Sequence, residues 1–163
     1  MTAATTLEDL FLMTLKDIYH GEKQILKALP KMAKHAESEA LKEALKHHLE
    51  ETEGQVERIE KVFDLMQKPA RGEACEAIRG LIEEGDEVME KAKTGTVGDA
   101  GLIAAGQAVE HYEIARYGTL VAWAKQLGMT EAADLLAQTL MQEKKADQKL
   151  NEIASKEVNR KAA

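Results

Sequence analysis

Apolar residues recur along this chain at spacings of three, four and seven, the period of an amphipathic helix, and no alternating strand segment interrupts them. The first stripe runs through Leu15, Ile18, Ile25, Leu26 and Leu29. Thr6, with Asp9 three residues later, has the form of a capping box and opens a helix predicted over about 6–35. Pro30 lies inside that pattern, so a kink or break is expected there. Leu41, Leu45, Leu49, Val56, Ile59 and Val62 mark a second helix over 38–68, with Ser38 as its N-cap and Pro69 and Gly72 beyond its end. A shorter helix over 73–93 would bury Ile78, Leu81, Ile82, Val88 and Met89, and TGTVGDAG (94–101) reads as a loop. A fourth helix is predicted over 99–127, stopping at Gly128. A fifth, capped by Thr130, spans 130–158 through Ala133, Leu136, Leu140, Leu150 and Ile153, and 159–163 should fray.

Two long helices, a crossover holding a short one, and two more long helices describe an all-α bundle with one long connection, the connectivity of ferritin-like folds. At 163 residues the chain suits a single domain, 1–163. Its halves also echo each other. A shift of about 92 lays SEALKEALKHHLEET (38–52) over TEAADLLAQTLMQEK (130–144), aligning Glu51 with Glu143 and Gln55 with Asp147. A shift of about 91 aligns Glu22 with Glu113, Leu29 with Leu120 and Tyr19 with Glu110. Identity is low, but the polar interruptions of the apolar stripes coincide.

Those interruptions are the chemistry-bearing positions. Glu22 sits among Ile18, Ile25, Leu26 and Leu29; Glu51 has His48 three before it and Gln55 four after. Glu110, Glu113 and Tyr117 share one face with Leu120, Val121 and Ala124, and Glu143 and Asp147 stand between Leu140 and Leu150. An unpaired buried carboxylate costs several kcal/mol or protonates, and several in one interior repel each other. One bound cation, or a pair bridged by carboxylates, removes both penalties. Taken singly, each Glu could instead lie exposed at the edge of its stripe, and Glu50 or Glu53 could replace Glu51 as the inward residue. His48 shares a face with Glu51 and would ligate or donate to a ligand. His111, about 100° around the helix from Glu110, would pack or support a ligand, and His20 and His47 read as surface residues. Tyr19 and Tyr117 read as core aromatics with a bonded hydroxyl, and Met66, Met89 and Met129 as core filler.

Composition narrows the classes. Net charge is −7, from 22 basic and 29 acidic residues, which disfavours a nucleic-acid binder. No apolar run approaches the roughly 20 residues that span a bilayer, and no basic-then-apolar leader opens the chain, so no membrane partner is expected. Cys75, the one cysteine, rules out an internal disulfide and has no adjacent basic residue in sequence to activate it. A cytoplasmic location is the simplest expectation.

The segments YHGEKQILKALPKMA, HLEETEGQVERIEKVF, GLIEEGDEV, VEHYEIARYGTL and QEKKADQKL together resemble the YciE/YciF-like family over about residues 6–158. The resemblance implies a ferritin-like bacterial protein associated with general stress responses, similar in turn to rubrerythrin-type dimetal proteins. Carried over residue by residue, the first-helix ligand of that pattern falls on Glu22 and the third-helix pair on Glu110 and Glu113. The two Glu-x-x-His motifs fall on Glu51 and Glu143, but their histidine positions hold Gly54 and Ala146, followed by Gln55 and Asp147. No rubredoxin-like cysteine segment accompanies them. An all-oxygen site leans toward manganese, ferric iron or magnesium. The expectation is therefore two metal ions, iron or manganese foremost, held by Glu22, Glu51, Glu110, Glu113, Glu143 and Asp147, with His48, Gln55, Tyr117 and His111 as further ligands or supports. Redox chemistry with peroxide or dioxygen, metal holding without turnover, and a protein-interaction module are the competing functions. Pairing as a homodimer is expected by analogy with other bundles of this kind.

Overall fold

In the computed structural model, residues 4–92 and 95–163 are described, and among them every regular element is helical. The elements are α1 (Leu7–His35), α2 (Glu39–Leu65), α3 (Glu76–Lys91), α4 (Thr96–Gln126), α5 (Thr130–Ile153), a π-helical stretch (Ala154–Val158) and α6 (Asn159–Ala162). Helices α1 and α2 form one hairpin and α4 and α5 another; α1 packs on α4 and α2 on α5, closing a four-helix bundle. Helix α3, carried by the crossover, lies against α1 and α4 outside that ring.

The ends follow local chemistry. Thr6 and Asp9 form the predicted capping box, with Thr6 Oγ1 accepting from the Asp9 amide at 3.1 Å and Asp9 Oδ2 from the Thr6 amide at 3.0 Å. Helix α1 continues through Pro30, which is exposed, so no break occurs there. The ring points to solvent and costs the helix one internal hydrogen bond. Helix α4 stops in a Schellman turn, with Gly128 at φ 72° donating to the Lys125 carbonyl and Met129 to that of Ala124. Helix α2 ends in the same turn, but Gln67 occupies the left-handed position at φ 55°. Both Pro69 and this turn place the end three residues before the predicted 68.

Other boundaries also differ from the sequence reading, α3 beginning at Glu76 instead of 73. The stretch taken as a loop over 94–101 is helical from Thr96, although Thr94, like the predicted helix end at Lys93, lies outside the described residues. One of its glycines serves packing: a Cβ on Gly101 would come within 2.5 Å of Val88 Cγ1, so α3 could not approach a larger residue there. Thr130 is the first helical residue of α5 rather than its cap, a position held by Met129 with no side-chain bond. The tail beyond Ile153 stays helical because Val158 is buried in the core, and Thr96 Oγ1 donates to the Lys161 carbonyl at 3.4 Å.

Two apolar clusters occupy the two ends of the bundle. One gathers Phe11, Leu15 and Ile18 with Ile59, Phe63, Leu120 and Leu136. The other gathers Ile25, Leu29, Leu41, Leu45, Leu102, Leu150 and Ile153. Ile18 and Ile25 belong to different clusters, and Glu22 lies between them. A polar layer therefore crosses the middle of the bundle.

Candidate metal centre

That layer is built from one or more residues on each long helix. Glu22 of α1, His48, Thr52 and Gln55 of α2, Glu110 and Glu113 of α4, and Thr139 and Glu143 of α5 are all buried. Each stands where its helix turns its apolar stripe inward, so the burial that drives the bundle together also carries these groups inside. His48, Glu110, Glu113 and Glu143 each offer a ligand atom within 4.8 Å of all the others. His48 Nε2 lies 3.1 Å from Glu110 Oε1 and 3.8 Å from Glu143 Oε2. Glu22 adjoins them, held by the Tyr117 hydroxyl, which donates to its Oε1.

Most of these polar atoms have nothing to bond. Both oxygens of Glu113 and Glu143, Oε2 of Glu22 and Glu110, Nδ1 of His48 and Oε1 of Gln55 are buried without a hydrogen-bond partner, and His48 Nε2 has only its ion-pair contacts with Glu110 and Glu143. The electrostatics reflect this. Burial drives the Glu22 carboxyl up to about 7, against the hydrogen bond from Tyr117 and the nearby His48, which pull it down. Burial, reinforced by Glu22, Glu143 and Glu110, raises Glu113 well above the usual carboxylate range. Burial raises Glu143 likewise, with His48 opposing and Glu22 and Glu110 adding to it. Burial works against a charged His48, but its contacts with Glu110, Glu51 and Glu143 outweigh that and raise it well above 6.5. Tyr117 is pushed well above 10 by burial and by the carboxylates around it.

The remaining predicted residues lie beside the cluster. Glu51, about 60° around α2 from His48, keeps 19% of its side chain exposed. It lies 3.6 Å from His47 Nε2 and 3.9 Å from His48 Nδ1, and accepts from Gln142 Nε2 at 3.3 Å. The His48 contact is the first cause of its lowered pKa. His48, not Glu51, is thus the α2 residue inside the cluster, and with it a nitrogen donor replaces the expected all-oxygen set. Asp147 is 18% exposed on the α4–α5 seam, where its Oδ1 meets His111 Nε2 and Gln107 Nε2, each at 3.2 Å. Its partner His111 is 68% exposed, so it neither packs inward nor touches the cluster. Gln55 is fully buried and donates to Gln142 Oε1 at 3.4 Å. Of the two histidines read as surface residues, His47 is exposed, whereas His20 is half-buried and its Nδ1 accepts from the Cys75 amide at 3.4 Å.

A supporting network was not read from the sequence. Arg58 Nη1 donates to Thr139 Oγ1 at 2.9 Å and Gln142 Oε1 at 2.8 Å, tying α2 to α5 beside the cluster. Thr52 Oγ1 donates to the His48 carbonyl at 2.8 Å. Thr52 could have been found at the i+4 position from His48; Arg58 and Gln142 carry no such signal, because charged and amide residues are frequent on solvated faces.

The sequence profile of a domain of unknown function, DUF892, matches residues 6–163. Protein YciF of Escherichia coli K12 is 49% identical over 158 residues, covering 96% of this chain and 95% of that protein. The crystal structure of the E. coli stress protein YciF superposes with a TM-score of 0.92 at 48% identity, covering 97% of this chain and 100% of that one. YcfI from Rhodopseudomonas palustris gives 0.90 at 49% identity over 92% of this chain and 96% of that one. A Xanthomonas campestris protein at 24% identity shares the fold, with a TM-score of 0.71 over 92% of each chain. The chain belongs to the DUF892 family and is a homologue of the E. coli stress protein YciF.

Proposed function

We propose that this protein holds two divalent metal ions, iron or manganese, in the middle of its bundle, with His48, Glu22, Glu110, Glu113 and Glu143 as ligands. The observation that carries the reading is the set of buried ligand atoms with no hydrogen-bond partner, drawn from all four long helices. Packed interiors satisfy nearly all their polar groups, and a concentration of orphaned donors and acceptors at one level calls for an occupant. Charge supports a pair: four carboxylates around a neutral imidazole balance two divalent cations. The mixed nitrogen and oxygen set fits iron and manganese, whereas magnesium prefers oxygen ligands alone. Glu51 and Asp147 flank the site as carboxylates reached from its rim.

Bound iron or manganese would supply electron exchange with peroxide or dioxygen. The chain's own residues would do the rest. Tyr117 fixes the rotamer of Glu22 through its hydroxyl, and the Arg58–Gln142 network locks α2 against α5, so the ligands stay at a constant spacing. The two apolar clusters close the layer off toward both ends of the bundle.

The test is metal content per chain, on protein produced with iron and with manganese and purified without chelator, beside a Glu113→Gln/Glu143→Gln double variant. One to two ions per chain, lost in the variant, support the reading; a folded protein that takes up neither metal overturns it. Metal retained without consumption of either oxidant would leave a metal-holding protein and remove the redox step.

A further inference from the structure

Beside the polar layer, α1, α3 and α4, with Leu45 of α2 and Leu150 of α5, line a small, partly open pocket of about 40 Å³. Its wall is mostly hydrocarbon, from Ile25 and Met32 of α1, Leu81, Ile82 and Met89 of α3 and Val109 of α4, with Asp86 of α3 also on it. His48 and Glu110 form part of the same wall, and both present buried atoms without partners. On the α2–α5 side the same two residues face a different space, a cleft of about 450 Å³ bordered by Glu43, Glu51, His47, Lys145 and Lys149. His48 and Glu110 are therefore approached past mostly hydrocarbon on one side and past charged side chains set among alanines and leucines on the other.

The geometry points to the apolar cavity as a binding site for a small apolar molecule, dioxygen in the functional reading above, on which the identity of the gas rests. Three observations converge. Organic ligands occupy pockets of roughly 300–1,000 Å³, so a space of about 40 Å³ admits only a molecule of a few atoms. Away from His48, Glu110 and Asp86 the wall is hydrocarbon, which gives water few partners and accepts xenon or small hydrocarbons instead. The wall also ends on two of the proposed ligands, so a gas resting there is already beside the centre. The charged cleft opposite suits cations, water and peroxide, which keep their hydrogen bonds on the way in. Helix α3 acquires a purpose on this account: it supplies the outer wall.

Crystals of the full-length protein pressurised with xenon test the site without reference to metal. Xenon density between Leu81, Met89 and Val109, lost in Ala28→Leu, supports the proposal, since Ala28 lines the cavity without belonging to the polar layer. Ile82→Phe fills the same space from α3 and serves if Ala28→Leu fails to fold. Ordered water in the cavity, or no xenon there, overturns the proposal. In iron-loaded protein, filling the cavity should lower the ratio of dioxygen to peroxide consumption about tenfold, a barrier raised by about 1.4 kcal/mol; an unchanged ratio overturns dioxygen as the occupant. Protein that binds xenon but takes up no metal keeps the cavity and removes the reading of the centre.

Discussion

Glu22 differs from the unfolded chain in the direction that makes the metal-free protein alkali-sensitive. Burial raises its carboxyl to about 7 from an ordinary 4.5, so over that interval the folded state binds more protons than the unfolded one. Stability without metal is therefore highest at low pH for this group and falls as pH rises through 7, by up to about 1.4 kcal/mol per pH unit for one proton. Glu113 and Glu143 are raised by the same cause and add to the fall in the same direction. The raised His48 adds in the same direction: its contribution is present below 6.5 and is lost as pH passes its folded value. Denaturant titrations of chelated protein from pH 5 to 8 should show this loss, and Glu22→Gln should flatten it. Glu113→Gln should raise metal-free stability at pH 8 by about 1–3 kcal/mol while weakening metal uptake. Tyr117→Phe should move the Glu22 carboxyl further up, because its hydroxyl is what pulls that group down, a change visible by infrared titration of the carboxyl band. The inward carboxylates Glu22, Glu110, Glu113 and Glu143 were legible because each breaks an apolar stripe. The choice between Glu51 and His48 was not: both lie within one arc of α2, and a rotation of about 60° decides which is enclosed.

At the scale of elements, one connection is braced by a side chain and another carries strain. Asp99, buried in the first turn of α4, accepts from the amides of Glu37 and Ser38 at 2.8 Å each, so one carboxylate satisfies the α1–α2 turn from across the bundle. Asp99→Ala orphans both donors and should cost about 1–3 kcal/mol in chemical denaturation. Gln67 is the converse case, since its positive φ strains a side-chain-bearing residue in a turn that Gly128 closes without strain. Gln67→Gly should raise stability by about 1 kcal/mol if the relief of left-handed strain exceeds the added chain entropy; a fall in the melting temperature would show entropy to be the larger effect. The long helices were readable from periodicity to within a few residues. Their junctions were less so, because glycine carries two meanings. In TGTVGDAG it suggested a loop, whereas Gly101 is there to let α3 approach; Gly128 was read correctly because an apolar helix ended before it.

For the whole molecule, helix count, order and crossover followed from the sequence, since amphipathic segments of this length have few ways to bury one face each. The cavity under α3 and the Arg58–Gln142 network did not, because both depend on which helices become neighbours. Metal should be felt globally: an ion that binds only the folded state adds about 2.7 kcal/mol at a hundred times its dissociation constant. Calorimetry with and without chelator should show a higher melting temperature for loaded protein, with the gap closing in Glu113→Gln/Glu143→Gln. The polar layer has one more consequence, for the path by which the chain comes apart. Because it divides the interior, the metal-free protein has two oily lobes joined by an acidic waist, and disruption should begin at mid-length instead of at the helix ends. Amide hydrogens near Glu22, His48, Glu113 and Glu143 should then exchange faster without metal than those around Leu15 or Leu41, and loading should reverse that order, turning two weakly coupled lobes into one cooperative body.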